Sequence, residues 1–309
     1  MPVTFLDALY ALCCLALLGM AAFVLFRAPK VAPNRWFAVT CLFLLAWLVT
    51  LFLFHREPEP ASALLMGRLN FAAVPPAALA AYLFVRAVAG LPTMKRSSSI
   101  ALWTGAALLS LVSACTALVD SAETPANATS MSPRYVTVYG PLFSLYVAFV
   151  AALLLAAVLL AFGQARIARR PTHDQLLLVG SGMLATGLVA LVANALLPYV
   201  FADFRLTDAG ALSTVLFLAA VAYAIAQRGL FDIRLLVRKT VVYGLLLSFL
   251  LAAYSTFVVL VTDRFAGPDS GMFTRVAVLV LAFSTDPVRR FLEARVDRFL
   301  SPARRAHRR

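Results

Sequence analysis

Nine blocks of mostly apolar residues follow one another along the chain, and short polar or basic segments separate them. About 20 consecutive apolar residues span a bilayer as an α-helix. Runs of this kind suit helices, because barrel strands alternate apolar and polar residues. The pattern predicts an all-α, polytopic transmembrane bundle, with spans at roughly 5–26, 36–54, 61–87, 99–119, 138–163, 176–197, 210–227, 240–262 and 272–285.

Composition supports a membrane protein and argues against a nucleic-acid partner. The chain is 62% hydrophobic and 13% charged, whereas soluble domains carry about 25% charged residues. The net charge of +13 arises in short loops between the spans and in the tail, which is the distribution that sets membrane orientation. We therefore expect the lipid bilayer as the main partner and no nucleic acid.

The distribution of lysine and arginine predicts which side each loop occupies. Most of the 27 basic residues fall in alternate loops and in the tail, and cytoplasmic loops carry the excess of positive charge. The N-terminus is then outside and the C-terminus cytoplasmic, in a multi-pass protein of the inner or plasma membrane. The ninth span is short and contains Arg275. We keep it, because removing it would leave the basic tail outside.

Three polar side chains within the spans are candidates for a ligand pocket. Arg68 and Asn70 precede Pro75 and Pro76 in the third span, and Asn194 lies in the outer half of the sixth. Polar and ionisable residues inside a membrane usually face the bundle interior or a wet cavity. One interpretation is an outward-facing pocket that these three residues line. The other is that Arg68 extends to the interface and the asparagines bond across helices.

Two further segments carry structural expectations. Gly180 and Gly182 in the sixth span predict close contact with neighbouring helices, because small residues let helix backbones approach. The polar segment at about 120–137 is the longest external loop and is expected to lie over the mouth of the bundle.

The sequence shows no catalytic or metal-binding motif. No HExxH or GxSxG string occurs, and the three histidines have no partner at metal-ligand spacing. We therefore expect neither an enzyme nor a cofactor.

The chain after the seventh span contains a loop and a tail with distinctive patterns. Leu230, Phe231, Asp232 and Ile233 follow a glycine that suits a helix C-cap. In residues 286–309, apolar side chains recur at helical spacing among arginines. Such a stripe either pairs with a second copy as a coiled coil or lies on anionic lipid, and the sequence favours neither.

Several short strings occur in order at set places relative to the spans, and together they resemble the histidine-kinase N-terminal seven-transmembrane region over most of residues 5–240. They are Asn34 and Trp47, then Arg68, Pro75 and Phe84, then "YGPLF" at 139–143, then Arg170, Gln175 and Gly180, then "YAI" at 223–225 and "LFDI" at 230–233.

The resemblance implies a membrane-embedded sensory or signal-input module. It implies a division into a sensor-like region (1–239), an additional transmembrane hairpin (240–285) and a basic cytoplasmic juncture (286–309). In similar proteins a juncture with residues like Pro287, Asp297 and Arg298 feeds a sensor domain, a kinase core or a cyclic-dinucleotide enzyme.

No such core follows here, so we expect the stimulus to be relayed to a separate or missing output domain. A homodimer and a cytoplasmic output protein are the partners that the resemblance implies. The alternative is a small-solute transporter or channel.

Overall fold

The computed structural model describes residues 5–27, 29–125 and 135–228. Within this part of the chain, seven helical segments are long and apolar enough to cross a membrane. The elements are α1 (Phe5–Arg27), α2 (Ala32–Phe54), α3 (Pro60–Val88), α4 (Arg96–Cys115), β1 (Asp120–Pro125), β2 (Tyr135–Tyr139), α5 (Phe143–Ile167), α6 (Thr172–Leu191), a π-helical turn (Val192–Leu196), α7 (Leu197–Phe201), α8 (Thr207–Leu212) and α9 (Thr214–Arg228).

These elements account for the first seven predicted spans. The sixth span consists of α6, the π-helical turn and α7, and the seventh runs through α8 into α9. The predicted spans at 240–262 and 272–285 lie outside the described residues, as do Leu230, Phe231, Asp232, Ile233, Pro287, Asp297 and Arg298. The nine-span count and the sidedness of the chain therefore stay predictions.

The prediction of an all-α fold is wrong in one place, because strands β1 and β2 form an antiparallel hairpin between α4 and α5. Asp120 pairs with Tyr139 at one end of the ladder and Pro125 with Tyr135 at the other. The sequence of β2, "YVTVY", consists of aromatic and β-branched residues that favour strands. The hairpin packs on α3, and the Tyr135 hydroxyl donates to the Pro58 carbonyl over 2.6 Å.

Helix α3 is the central helix of the bundle and contacts α2, α4, α5 and α6. Pro75 and Pro76 lack the backbone N–H groups that would bond the carbonyls of Phe71 and Ala72. Two neighbouring helices supply the missing donors. The Tyr146 hydroxyl donates to Phe71 O over 2.9 Å, and the Ser110 hydroxyl to Ala72 O over 2.8 Å. The helix continues through both prolines because its freed carbonyls are satisfied from outside.

The predicted close contacts at the paired glycines are confirmed. A methyl group added at Gly180 would lie 2.9 Å from the Ala161 Cβ atom of α5, and one added at Gly182 would overlap Ala220 of α9. The outer faces of α1, α4 and α5 instead expose large apolar side chains, among them Leu15, Leu108 and Leu159. That pattern is expected where helices face lipid.

Candidate functional site

A cavity of about 180 Å³ lies inside the bundle, between α2, α3, α5, α6 and α9. Strand β2 contributes Thr137 and Tyr139 to its wall, so the hairpin covers one end of it. We call this the hairpin end of the bundle, and the opposite end, which carries most of the basic loop residues, the basic end. The wall is largely apolar and includes Trp47, Phe54, Phe71, Phe143, Met183 and Phe217.

Most polar side chains of the wall already donate their hydrogens to protein oxygens. Asn70 Nδ2, for example, donates to the Trp47 carbonyl over 2.8 Å, and also lies 3.2 Å from Thr50 Oγ1. The same holds, at 2.8–2.9 Å, for the hydroxyls of Thr40, Thr137, Tyr146, Thr186 and Thr207. The polar hydrogens of these side chains are therefore bonded to protein atoms and are not offered to the cavity.

Asn194 differs from these residues. It lies in the π-helical turn and lines the cavity, and its Nδ2 atom is buried without a hydrogen-bond partner among the described residues. A methyl group added at Gly210 of α8 would overlap this amide. The glycine therefore makes the room that the Asn194 side chain occupies.

The three residues predicted for the pocket divide into two sets. Asn70 and Asn194 line the same cavity. Arg68 contacts the hairpin instead, since its Nε atom donates to the Asp120 carbonyl over 3.2 Å. Asn70 bonds across helices, in agreement with the second interpretation of the sequence, while it also forms part of the wall.

Two hairpin carboxylates approach the backbone of α3 beside the cavity. A methyl group at Gly67 would lie 2.7 Å from Asp120 Oδ2 and 3.0 Å from Glu123 Oε1, so the two carboxylates occupy the space that a side chain at this position would take. Both oxygens of Asp120 are buried without a hydrogen-bond partner among the described residues, and Glu123 Oε1 accepts from the Thr137 hydroxyl over 2.8 Å.

Burial changes the acidity of this pair. It raises the pKa of Asp120 from 3.8 to about 7, against the opposing effect of the Arg68 charge. Burial, with the nearby Asp120 charge, raises the pKa of Glu123 from 4.5 to about 8. The pKa of Tyr139 is also raised, by burial and then by the two carboxylates. The pair is therefore arranged to hold protons near neutral pH.

A second polar cluster joins three spans at the hairpin end. The Tyr10 hydroxyl donates to Asp208 Oδ1 over 2.6 Å, and His55 Nδ1 lies 3.2 Å from the same oxygen. Arg56 pairs with Asp7, and its guanidinium lies over the Phe52 ring. These contacts could not be predicted from the sequence, because they join residues of α1, α2 and α8 that are far apart in the chain.

Two irregular turns flank the cavity. The π-helical turn interrupts the sixth span, and the turn at Ser213 separates α8 from α9 in the seventh. Thr186 of α6 forms two hydrogen bonds with the backbone of the second turn. Its hydroxyl donates to Ser213 O over 2.9 Å and accepts from the Phe217 N–H over 3.1 Å. Irregular helical turns of this kind occur often at functional sites.

Among the described residues, no group of three or more His, Cys, Asp or Glu side chains is placed to hold a metal ion. The site therefore consists of an apolar cavity, one buried amide without a partner, a carboxylate pair under the hairpin and two irregular helical turns.

Comparison with known protein families agrees with this architecture. The family model of the N-terminal 7TM region of histidine kinase matches residues 9–234, which is more than half of the chain. The chain belongs to this family. The matched residues begin in α1 and extend six residues past the end of α9, so they include the cavity and the hairpin. A search of the curated proteins finds no significant match.

Membership of the histidine-kinase 7TM family indicates the class of protein to which the cavity and the hairpin belong. The family is a membrane input region and not a catalytic domain, so the chain is a multi-pass membrane sensory module.

Proposed function

We propose that this 7TM region receives a stimulus in the hairpin-capped cavity and relays it through the seventh span to the C-terminal juncture and an output domain. The observation that carries the proposal is the position of Phe217. Its side chain lines the cavity, and it lies on α9, the last described helix before the loop at 230–233. A change in cavity occupancy therefore acts directly on the element that leads toward the juncture.

The contacts of Phe217 provide a physical route for this relay. Its ring centroid lies 6.2 Å from that of Phe37 on α2 and 6.2 Å from that of Phe84 on α3, and these two rings lie 5.4 Å apart. A packed cluster of this kind has discrete side-chain arrangements, and a ligand that favours one of them shifts the population. The turn at Ser213 gives α9 a place to pivot.

The rival function, a small-solute transporter or channel, receives less support. A hydrophilic solute needs exposed polar groups along its path. In the described residues, the Asn70 amide and most other polar side chains of the cavity wall are bonded to protein atoms. Arg68, the charged member of the predicted pocket, contacts the hairpin.

The relay is tested by filling the cavity without any ligand. Ala190→Phe places a ring in the cavity wall, and Leu188→Phe, two residues away on the lipid-exposed face of α6, is the matched control. With the full chain in lipid nanodiscs, we expect Ala190→Phe to change amide hydrogen exchange in residues 214–300 by at least threefold, and Leu188→Phe to leave it unchanged. Changes confined to α3, α5 and α6 would contradict the relay. Uptake of small solutes into liposomes by the unaltered chain, above that of empty liposomes, would favour the transporter.

The output side of the proposal concerns residues 286–309. We propose that Pro287, Asp297 and Arg298 belong to a juncture that engages a cytoplasmic output protein, either by pairing with a second copy or directly. Its basic residues also suit an anionic lipid surface. Cross-linking in membranes distinguishes these outcomes, because a protein partner gives an adduct that is lost when 287–309 are deleted, whereas lipid binding gives none.

A further inference from the structure

We propose that Asp120 and Glu123 form a proton-binding site that holds the hairpin on α3, and that the loss of their protons releases the hairpin and opens this end of the cavity. The inference rests on the proposed function, since it names how access to the cavity is regulated.

The oxygens of the carboxylate pair are enclosed by protein. The exposed fraction is 0% for Asp120 and 7% for Glu123. Both oxygens of Asp120, and Oε2 of Glu123, are buried without a hydrogen-bond partner among the described residues. Burying such acceptors is costly when the carboxylates carry charge. A proton is the ligand that fits this site, because it binds directly to an oxygen, needs no further space and removes the charge.

The two carboxylates lie close enough to affect each other. Asp120 Oδ2 and Glu123 Oε1 are both within 3.0 Å of the point that a Cβ atom at Gly67 would occupy. Two like charges in one buried site oppose ionisation, in addition to the effect of burial itself. Both causes raise the pKa of Glu123, with burial the larger of the two.

The polar neighbours on α3 and β2 do not replace the proton. Arg68 of α3 donates from Nε to the Asp120 backbone carbonyl over 3.2 Å, and the two carboxylate oxygens lack a hydrogen bond. From β2, the Thr137 hydroxyl donates to one oxygen of Glu123 over 2.8 Å. Burial, and then the two carboxylates, raise the pKa of Tyr139 above its ordinary value, so this side chain stays neutral.

The charged groups at the end of α2 have partners of their own. His55 Nδ1 lies 3.2 Å from Asp208 of α8, and Arg56 pairs with Asp7 of α1. Phe54, the α2 side chain at the same point of α3, is apolar. Neutralisation of the carboxylate pair therefore depends on protons.

Loss of these protons affects the cavity because the hairpin forms part of its wall. The hairpin contacts α3 at Gly67, and the Tyr135 hydroxyl donates to Pro58 O just before this helix. Gly67, Thr137 and Tyr139 line the cavity. Ionised carboxylates regain their hydration when the strands leave α3, and this displacement opens the wall to water.

The number of protons sets the direction and size of the response. The hairpin on α3 keeps a proton on Asp120 up to about pH 7 and on Glu123 up to about pH 8, whereas exposed carboxyl groups lose theirs near pH 4. Between these limits each such proton shifts the equilibrium toward release about tenfold per pH unit. Above about pH 8 both states are ionised and the dependence ends.

The test measures whether the face of α3 under the hairpin becomes accessible as pH rises. Ala63 is fully buried one helical turn before Gly67, and Thr124 of β1 is exposed. In the full chain in nanodiscs, the rate at which a membrane-impermeant maleimide labels Ala63→Cys is divided by its rate with Thr124→Cys. This ratio cancels the effect of pH on thiol reactivity. Both variants carry Cys115→Ala, because Cys115 is exposed. We expect the ratio to rise about tenfold or more from pH 5 to pH 8.

Carboxylate variants assign the response to the pair. Asp120→Asn combined with Glu123→Gln keeps both shapes and removes both charges, so the ratio should change less than about twofold over the same range. Glu59→Gln removes an exposed carboxyl group and should keep the full response. A ratio that does not change with pH when the pair is intact, or a response that survives in the double variant, would overturn the inference.

Infrared titration covers the case in which Ala63→Cys folds poorly, since it needs no introduced cysteine. We expect a protonated carboxyl band that disappears between about pH 6 and pH 9 and is absent from the double variant. Loss of all such bands by about pH 5.5 would also overturn the inference.

The amide-exchange test of the relay is made at a single pH and does not involve the carboxylate pair. A constant labelling ratio with that coupling intact would refute the proton-binding site and leave the proposed function standing. A ratio that responds to pH while Ala190→Phe changes nothing in residues 214–300 would instead refute the relay.

Discussion

At the residue scale, Gly67 leaves the space in which two hairpin carboxylates pack against α3. Because Gly67 has no side chain, the carboxylates of Asp120 and Glu123 both reach the α3 backbone. They are buried there beside Arg68. Two carboxylates in one buried site resist ionisation together. Because the pKa values of Asp120 and Glu123 are raised, the packing of the hairpin against α3 depends on pH.

The first prediction is that the bundle loses stability as pH rises. The folded chain keeps protons on Asp120 up to about pH 7 and on Glu123 up to about pH 8, whereas the unfolded chain releases them near pH 4. Unfolding therefore releases protons between these limits, and stability is full below about pH 4 and falls as pH rises toward 8. We expect the thermal midpoint to fall by about 5 °C from pH 5 to pH 8.

Asp120→Asn tests the cause of this slope. The amide has nearly the same shape but no charge to lose, so the variant should lose the share of the decrease in midpoint that Asp120 contributes and retain about half, because Glu123 stays buried. Glu59→Gln alters an exposed carboxylate at the start of α3 and should keep all of it. A thermal midpoint of the unaltered chain that does not change with pH would contradict the burial of these two carboxylates.

At the element scale, the sixth and seventh spans depend on each other's hydrogen bonds. At the turn between α8 and α9, the Thr186 hydroxyl accepts from the Phe217 N–H and donates to Ser213 O, which also accepts from the Leu216 N–H over 2.8 Å. In a membrane, freed backbone groups of this kind are satisfied by neighbouring helices. The same device supports α3, where Tyr146 and Ser110 bond the carbonyls freed by its prolines.

Removing this hydroxyl should loosen the seventh span. Thr186→Val keeps the shape but leaves the Phe217 N–H without its partner, while Ser213 O keeps the Leu216 N–H. We expect a loss of about 1–3 kcal/mol in the free energy of unfolding. Denaturation in mixed micelles measures it. Thr186→Ser should recover most of the loss, and Ser181→Ala, which removes a hydroxyl bonded only within α6, should cost less than 0.5 kcal/mol. A neutral Thr186→Val would show that the turn does not depend on this contact.

At the scale of the whole molecule, the spans could be predicted and the site only in part. The length of each apolar block fixes a membrane helix, so the first seven predicted spans correspond to the described helices. The hairpin was missed, because a polar segment between spans gives little strand signal at β1. The Asp208 contacts with Tyr10 and His55 arise only when distant helices meet. Asn70 and Asn194 could be predicted as part of the cavity wall, because polar residues inside a membrane span usually face the bundle interior or a cavity.

The central claim is that the hairpin end receives the stimulus and the other face of the membrane carries the C-terminal segment. Three described spans separate β2 from residue 228, and an odd number of spans puts the two at opposite faces of the membrane. The two further predicted spans cross the membrane twice and so return the chain to the face of residue 228. The most direct measurement is antibody accessibility of two epitope tags in intact cells and in permeabilised cells, one inserted after Thr129 and one after Arg309. We expect the first tag to be accessible in intact cells and the second only after permeabilisation. Equal accessibility of both tags in intact cells would contradict the relay, because stimulus and output would then share one side of the membrane.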